Sequence, residues 1–182
     1  MQGLTALEYA VFRILRLLRK LPFNPLDIPN QKVIFSEYFR GMEKTEAVRG
    51  IFGEKTEEVL SHLKVEISWM MGYMYVDGSD GHMVISKNYL AKGDRTEIYL
   101  DLVHELCHVK QFMNGRELFD PRYEYVDRPT EIEAYRYTVS EARRIGFSDE
   151  RLCCYLRTEW MDDDDFLRLA KAVGVQVSSA SR

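Results

Sequence analysis

The spacing of apolar positions changes along the chain, and each change predicts an element. Leu4, Leu7, Val11, Ile14 and Leu18 recur at helical spacing with Arg13, Arg16 and Lys20 opposite, so residues 4–20 read as an amphipathic helix. Pro22, Pro25 and Pro29 stop it and favour an extended path over residues 21–30. That shift sets a boundary: residues 1–30 are an N-terminal helix with a proline-rich linker, and residues 31–182 the main unit. Residues 32–39 (KVIFSEYF) fit a strand or a short helix, and residues 55–63 read as a helix. Residues 65–76 are rich in β-branched, aromatic and methionine side chains. The turn-forming run Asp77-Gly78-Ser79-Asp80-Gly81 follows, then residues 82–86, which together predict a β-hairpin.

Helical spacing returns in the second half. Ile98, Leu102, Leu106, Val109 and Met113 form one stripe, opened by Asp94 with Glu97 three residues on and closed by Gly115. A further helix starts near Asp127-Arg128-Pro129-Thr130 and runs to Gly146. Ser148 caps another, and the acidic residues 162–165 precede a last amphipathic one, where negative charge complements the helix dipole.

Composition narrows the class. Hydrophobic residues at 46% and charged residues at 30% describe a globular chain that can bury a core. The net charge of −4 argues against a nucleic-acid surface as the main function, so no nucleic-acid partner is expected. No apolar run approaches a membrane span, and no secretory signal is visible. Three cysteines, Cys107, Cys153 and Cys154, are an odd number and make no disulfide framework, which points to the cytoplasm. Cys107 is expected on the core side of its helix, and Cys153-Cys154 to serve packing. Gly50 to Thr56 has the wrong spacing for a phosphate loop, and the Asp77 turn has too few oxygen ligands for calcium.

The chemistry lies in His104-Glu105-Leu106-Cys107-His108, which uses two of the chain's four histidines. Histidines four residues apart on a helix stack on one face and can reach one metal ion. Glu105 projects beside that ion and can take a proton from water there. A catalytic zinc needs three protein ligands, and the segment Pro129-Thr130-Glu131-Ile132-Glu133-Ala134-Tyr135 offers two carboxylates on nearly opposite helix faces. Glu131 shares its face with Ala134, Tyr135, Thr138, Ala142 and Ile145, which suits close packing. Glu133 shares its face with Arg136, Tyr137, Ser140, Glu141 and Arg144, mostly a solvent face. A carboxylate on a packed face needs a partner, which favours Glu131, with Glu133 as the alternative third ligand. His62 and His82 read as ordinary histidines.

HELCH followed by Glu131-x-x-Ala134 resembles the glutamate-ligand branch of the zincin metallopeptidases, the gluzincins. Its compact members, the minimal gluzincins and the ImmA/IrrE type, look closest, over about residues 65–146. The resemblance implies Zn2+ held by His104, His108 and Glu131, Glu105 as general base, and hydrolysis of a peptide or protein substrate. It implies an α+β fold: a small twisted, mostly antiparallel sheet packed on an active-site helix and a second ligand-bearing helix, with extra helices at both termini. Many gluzincins carry an acidic residue four positions after the ligand glutamate, where this chain has Tyr135, so a zinc-bound histidine must find another partner; Asp101 fits by spacing. Tyr123, Tyr125 and Arg128 are candidate transition-state stabilisers, and the strand at 82–86 would hold an extended substrate. The alternative is a weak or inactive zincin-fold binding or regulatory protein. A further expectation is self-inhibition by terminal segments, around Asp27 or in the C-terminal tail, lying across the cleft.

Overall fold

The computed structural model describes residues 32–158 and 160–177. The expected helix at 4–20, the proline-rich linker and the terminal segments invoked for self-inhibition lie outside or mostly outside the described residues. The described part is α+β, a small mixed sheet with helices. Strand β1 (Lys32–Ile34) leads directly into a short helix α1 (Phe35–Tyr38), so the stretch read as strand or helix is both in turn. Helices α2 (Glu46–Phe52) and α3 (Thr56–His62) follow, then β2 (Lys64–Ser68).

The expected hairpin needs correction. Residues 65–76 break into β2 and a separate strand β3 (Met74–Val76), with Gly72 at φ 93° in the loop between them. Only β3 and the following strand β4 (Met83–Ser86) form the hairpin, with Tyr75 opposite Val84. Asp77 organises its turn by accepting from the Ser79 amide at 2.8 Å and the Ser79 hydroxyl at 2.6 Å. The sheet order is β1-β2-β4-β3, so β4 inserts between its predecessors and pairs with β2 in parallel, Ile67 opposite Ile85. All four β4 residues are buried, as a strand flanked on both edges and covered on both faces demands. The sheet is therefore mixed, and β3 rather than β4 forms its edge. The substrate-holding role expected of residues 82–86 does not fit β4, whose backbone groups are already paired on both sides.

Helix α4 (Lys87–Lys92) leaves β4 and leads into α5 (Arg95–Met113), which carries the HExxH motif. Asp94 caps α5 as expected, accepting from the Thr96 and Glu97 amides at 2.9 and 3.1 Å. Gly115, at φ 71°, ends it: its amide reaches the Phe112 carbonyl and the Arg116 amide the Gln111 carbonyl, a Schellman closure that needs the left-handed conformation. The return to α6 (Pro129–Arg144) passes through a 3-10 turn (Tyr125–Asp127). Leu118 and Val126 anchor this return in the interior, and the Thr130 hydroxyl bonds the Leu118 carbonyl at 3.2 Å. Pro129 sits in the first turn of α6, where its missing N–H costs nothing. Ser148 and Asp162 cap α7 (Asp149–Leu156) and α8 (Asp163–Val173).

Two apolar clusters result. The sheet, α1–α3 and one face of α5 enclose the first, around Phe35, Leu60, Ile85 and Leu106. Helices α6–α8 enclose the second, around Leu152, Phe166 and Leu169, joined by Leu100 from α5. Helix α5 thus belongs to both, and α5 and α6 pack along their length. Of the predicted α5 stripe, Ile98, Leu102, Leu106 and Val109 are buried, whereas Met113, the last residue of the helix, is exposed. Cys107 and Cys153 are buried, Cys154 is exposed, and all three are free thiols. No described helix is long and apolar enough to cross a membrane.

Candidate metal centre

His104 and His108 point from adjacent turns of α5 toward the first turn of α6, which supplies Glu131. The imidazole Nε2 atoms lie 3.0 Å apart, and Glu131 Oε2 is 3.2 Å from His104 Nε2 and 3.4 Å from His108 Nε2. All three side chains are buried. A tetrahedral zinc with bonds of about 2.0–2.1 Å separates its ligand atoms by about 3.3–3.4 Å; the two edges to Glu131 come close to that, and the edge between the two imidazoles is the short one. The adjoining cavity, about 30 Å³ and bounded by β3, His104, Glu105, His108, Tyr125 and Glu131, is large enough for one water molecule or ion. Two nitrogens and one carboxylate oxygen are also a zinc donor set.

Gln111 fixes which nitrogen of His108 faces this centre. Its Oε1 lies 2.7 Å from His108 Nδ1, while its Nε2 donates to the Thr130 carbonyl at 2.9 Å and to Glu133 at 3.0 Å. With the Nδ1 proton committed to Gln111, neutral His108 presents the Nε2 lone pair to the centre. The same amide ties α5 to the start of α6, so one side chain both orients His108 and links its helix to the one that carries Glu131. Spacing contained a signal for it, since Gln111 follows His108 by three residues on one helix face. Glu133 is not part of the triangle: it pairs with Gln111 and Arg116.

Tyr135 occupies the position where an acidic residue would stand. Its ring packs edge-on against His104, centroids 4.4 Å apart, and its hydroxyl meets that of Tyr125 at 3.1 Å. Asp101 does not take over as a histidine partner, because its two oxygens accept from Tyr89 at 2.5 Å and Tyr155 at 2.6 Å. Of the other candidates, Tyr125 lines the cavity beside Glu105, whereas Tyr123 is exposed and outside it. The Arg128 guanidinium approaches Glu131 Oε1 at 3.8 Å and so stands behind the carboxylate. His62 is exposed and bonds its own helix, and His82 pairs with Asp80 on the hairpin.

Burial and mutual contact shift the titration of all four groups. Burial lowers His104 to about 4, only partly offset by Glu131. Burial also disfavours the His108 imidazolium, but Glu131 and Glu105 outweigh it and raise that group to about 9. Glu131 would be raised by its burial, yet the two histidines hold its carboxyl well below the usual range. Glu105 is pushed up to about 8, chiefly by burial, with His108 opposing and Glu131 and Asp101 reinforcing. A cation at the centre would favour the ionised form of both carboxylates.

Comparison of the chain with family models, curated proteins and solved structures gives no match. The functional reading therefore stands on these side chains.

Proposed function

We propose that this protein is a zinc-dependent peptidase of the zincin-like, glutamate-ligand type. The observation that carries the proposal is the His104–His108–Glu131 triangle, with edges of 3.0–3.4 Å, beside the buried carboxylate of Glu105. A site built only to hold a structural metal has no need of that extra base. When bound, zinc would acidify water and polarise a peptide carbonyl. Glu105 takes a proton from the attacking water and delivers it to the leaving amine. Tyr125, which shares the cavity with Glu105, would donate its hydroxyl to the developing oxyanion. The β3 edge beside the cavity offers backbone groups to an extended peptide. Free cysteines fit a cytoplasmic setting.

The test is metal analysis and proteolysis with the wild type, Glu105→Gln and His108→Ala. The reading expects near-stoichiometric zinc in the first two and much less in the third. Cleavage of a protein substrate should fall about 10²–10⁴-fold in Glu105→Gln. A wild-type protein that takes up no zinc would overturn the metal assignment. Zinc uptake with no hydrolysis across a broad peptide library would instead leave a binding protein on this scaffold.

A further inference from the structure

A second cavity, about 270 Å³, shares His104, Glu105 and Tyr125 with the metal cluster and extends toward α7. Its walls are aromatic, with Tyr73, Tyr89, Tyr155 and Trp160 joining Tyr125. Trp160 meets the Tyr125 ring edge-on, centroids 4.7 Å apart. Between Tyr89 and Tyr155 lies Asp101, one helical turn before Glu105 on α5. The two tyrosine hydroxyls occupy one site on each Asp101 oxygen, and a carboxylate offers about four in all.

Three observations give the cavity a preference. Among the described residues no lysine, arginine or histidine is within ion-pair distance of Asp101, so its charge is hydrogen-bonded but not neutralised. Thr158 Oγ1 on the same wall is buried with no hydrogen-bond partner. Arg157, the cavity's own cation, is directed elsewhere, bonded to Asp163 at 2.8 Å and set 4.6 Å over the Phe166 ring. An apolar guest would leave Asp101 uncompensated, and an anionic guest would be repelled by Asp101 and by the exposed Glu97 at the rim. A cation gains from the carboxylate and from the aromatic faces together.

We propose that this cavity receives a lysine or arginine side chain from the substrate residue next to the bond that the metal site cleaves. The inference rests on the peptidase reading for the words "cleaves" and "substrate"; the cation pocket itself does not. Asp101 supplies the charge, Thr158 an acceptor and the rings the walls. The volume lies just under the roughly 300 Å³ at which small-ligand pockets begin, which suits one long side chain.

The experiment measures binding without turnover. Nα-acetyl-arginine amide and its neutral isostere Nα-acetyl-citrulline amide are titrated into the wild-type protein by calorimetry, with Trp160 emission as a second signal. Arginine amide should bind about tenfold more tightly than citrulline amide. That preference should largely disappear in Asp101→Asn and weaken in Trp160→Ala, an exposed ring whose removal is compatible with folding. Thermal melting identifies a variant that has lost its fold, and Trp160→Ala then carries the test alone. Equal binding of the two amides, or no binding of either, overturns the pocket. So does a zinc-loaded enzyme that cleaves basic and norleucine-substituted peptides at equal kcat/KM, a result that leaves the peptidase reading intact. Arginine-selective binding by a protein without hydrolysis would support the pocket while removing the peptidase reading.

Discussion

Helix α6 buries two carboxylates, Glu131 near its start and Glu141 near its end, and both lie against α5. Their exposures are nearly the same, 4% and 3%, but their partners differ. Glu141 is closed: Arg144 grips both oxygens at 2.7 Å, and the Tyr99 hydroxyl adds a bond at 2.5 Å. Its charge is matched and its acceptors are used. Glu131 faces two imidazoles that can be neutral, with an arginine only at 3.8 Å and a water-sized cavity alongside. Burial of a carboxylate is therefore no mark of function by itself. The kind of partner is the mark: Arg144 keeps its charge, whereas His108 can give up its proton and leave the Glu131 charge, in a low-dielectric interior, to a metal cation.

The largest expected effect separates these two ends. Glu131→Gln should weaken zinc binding by more than about a hundredfold, since losing a ligand exceeds the 10–100-fold cost of losing a ligand's partner. Glu141→Gln should leave zinc affinity unchanged and cost about 1–3 kcal/mol of stability, because a buried hydrogen-bonded charge is removed. Competition with a chelator and thermal melting read the two outcomes. Equal zinc affinities for the two variants would dissolve the contrast.

Gln111→Ala sharpens it at the next level. It leaves the three ligands in place but frees the His108 ring and strips the Thr130 carbonyl of its donor. Zinc affinity should drop about 10–100-fold, with Gln111→Glu recovering part of it through a carboxylate acceptor for Nδ1–H. An affinity in Gln111→Ala equal to wild type would show that the ring needs no such anchor.

The smallest effect, taken over a single pH unit, is in pH. In the metal-free protein His108 holds its proton up to about 9, and a ligand must be neutral, so zinc uptake displaces that proton below this value. Apparent zinc affinity should rise by about tenfold per pH unit approaching about 9 and flatten above it. Glu141→Gln should reproduce that profile. A flat profile over the same interval would show that His108 is already neutral in the metal-free protein.

Local signals are the most legible in the sequence. Asp94 and Gly115 bounded α5 because a cap and a left-handed closing residue act within one helical turn. The helical face of Glu131 was legible too: Ala134, Tyr135, Thr138 and Ala142 are buried. Ile145 departs, being 37% exposed where the helix ends. Glu141, on the face assigned to solvent, is buried because Tyr99 and Arg144 match it there. The strands were harder. Residues 65–76 read as one arm, and nothing in them reveals that β4 returns between β2 and β3, since that parallel pairing joins residues with no local contact.

By itself, then, the sequence determined the helix that carries His104, Glu105 and His108, and the face from which Glu131 projects. Both follow from a 3.6-residue repeat and from caps that act over a few residues. Tertiary structure decided the rest: that Gln111 anchors His108, that Tyr135 packs on His104, that Asp101 turns to two tyrosines, and that β3 forms the edge beside the cavity. Each depends on how separate elements meet, because a hydrogen bond or ring contact between distant residues is set by packing and not by their spacing along the chain.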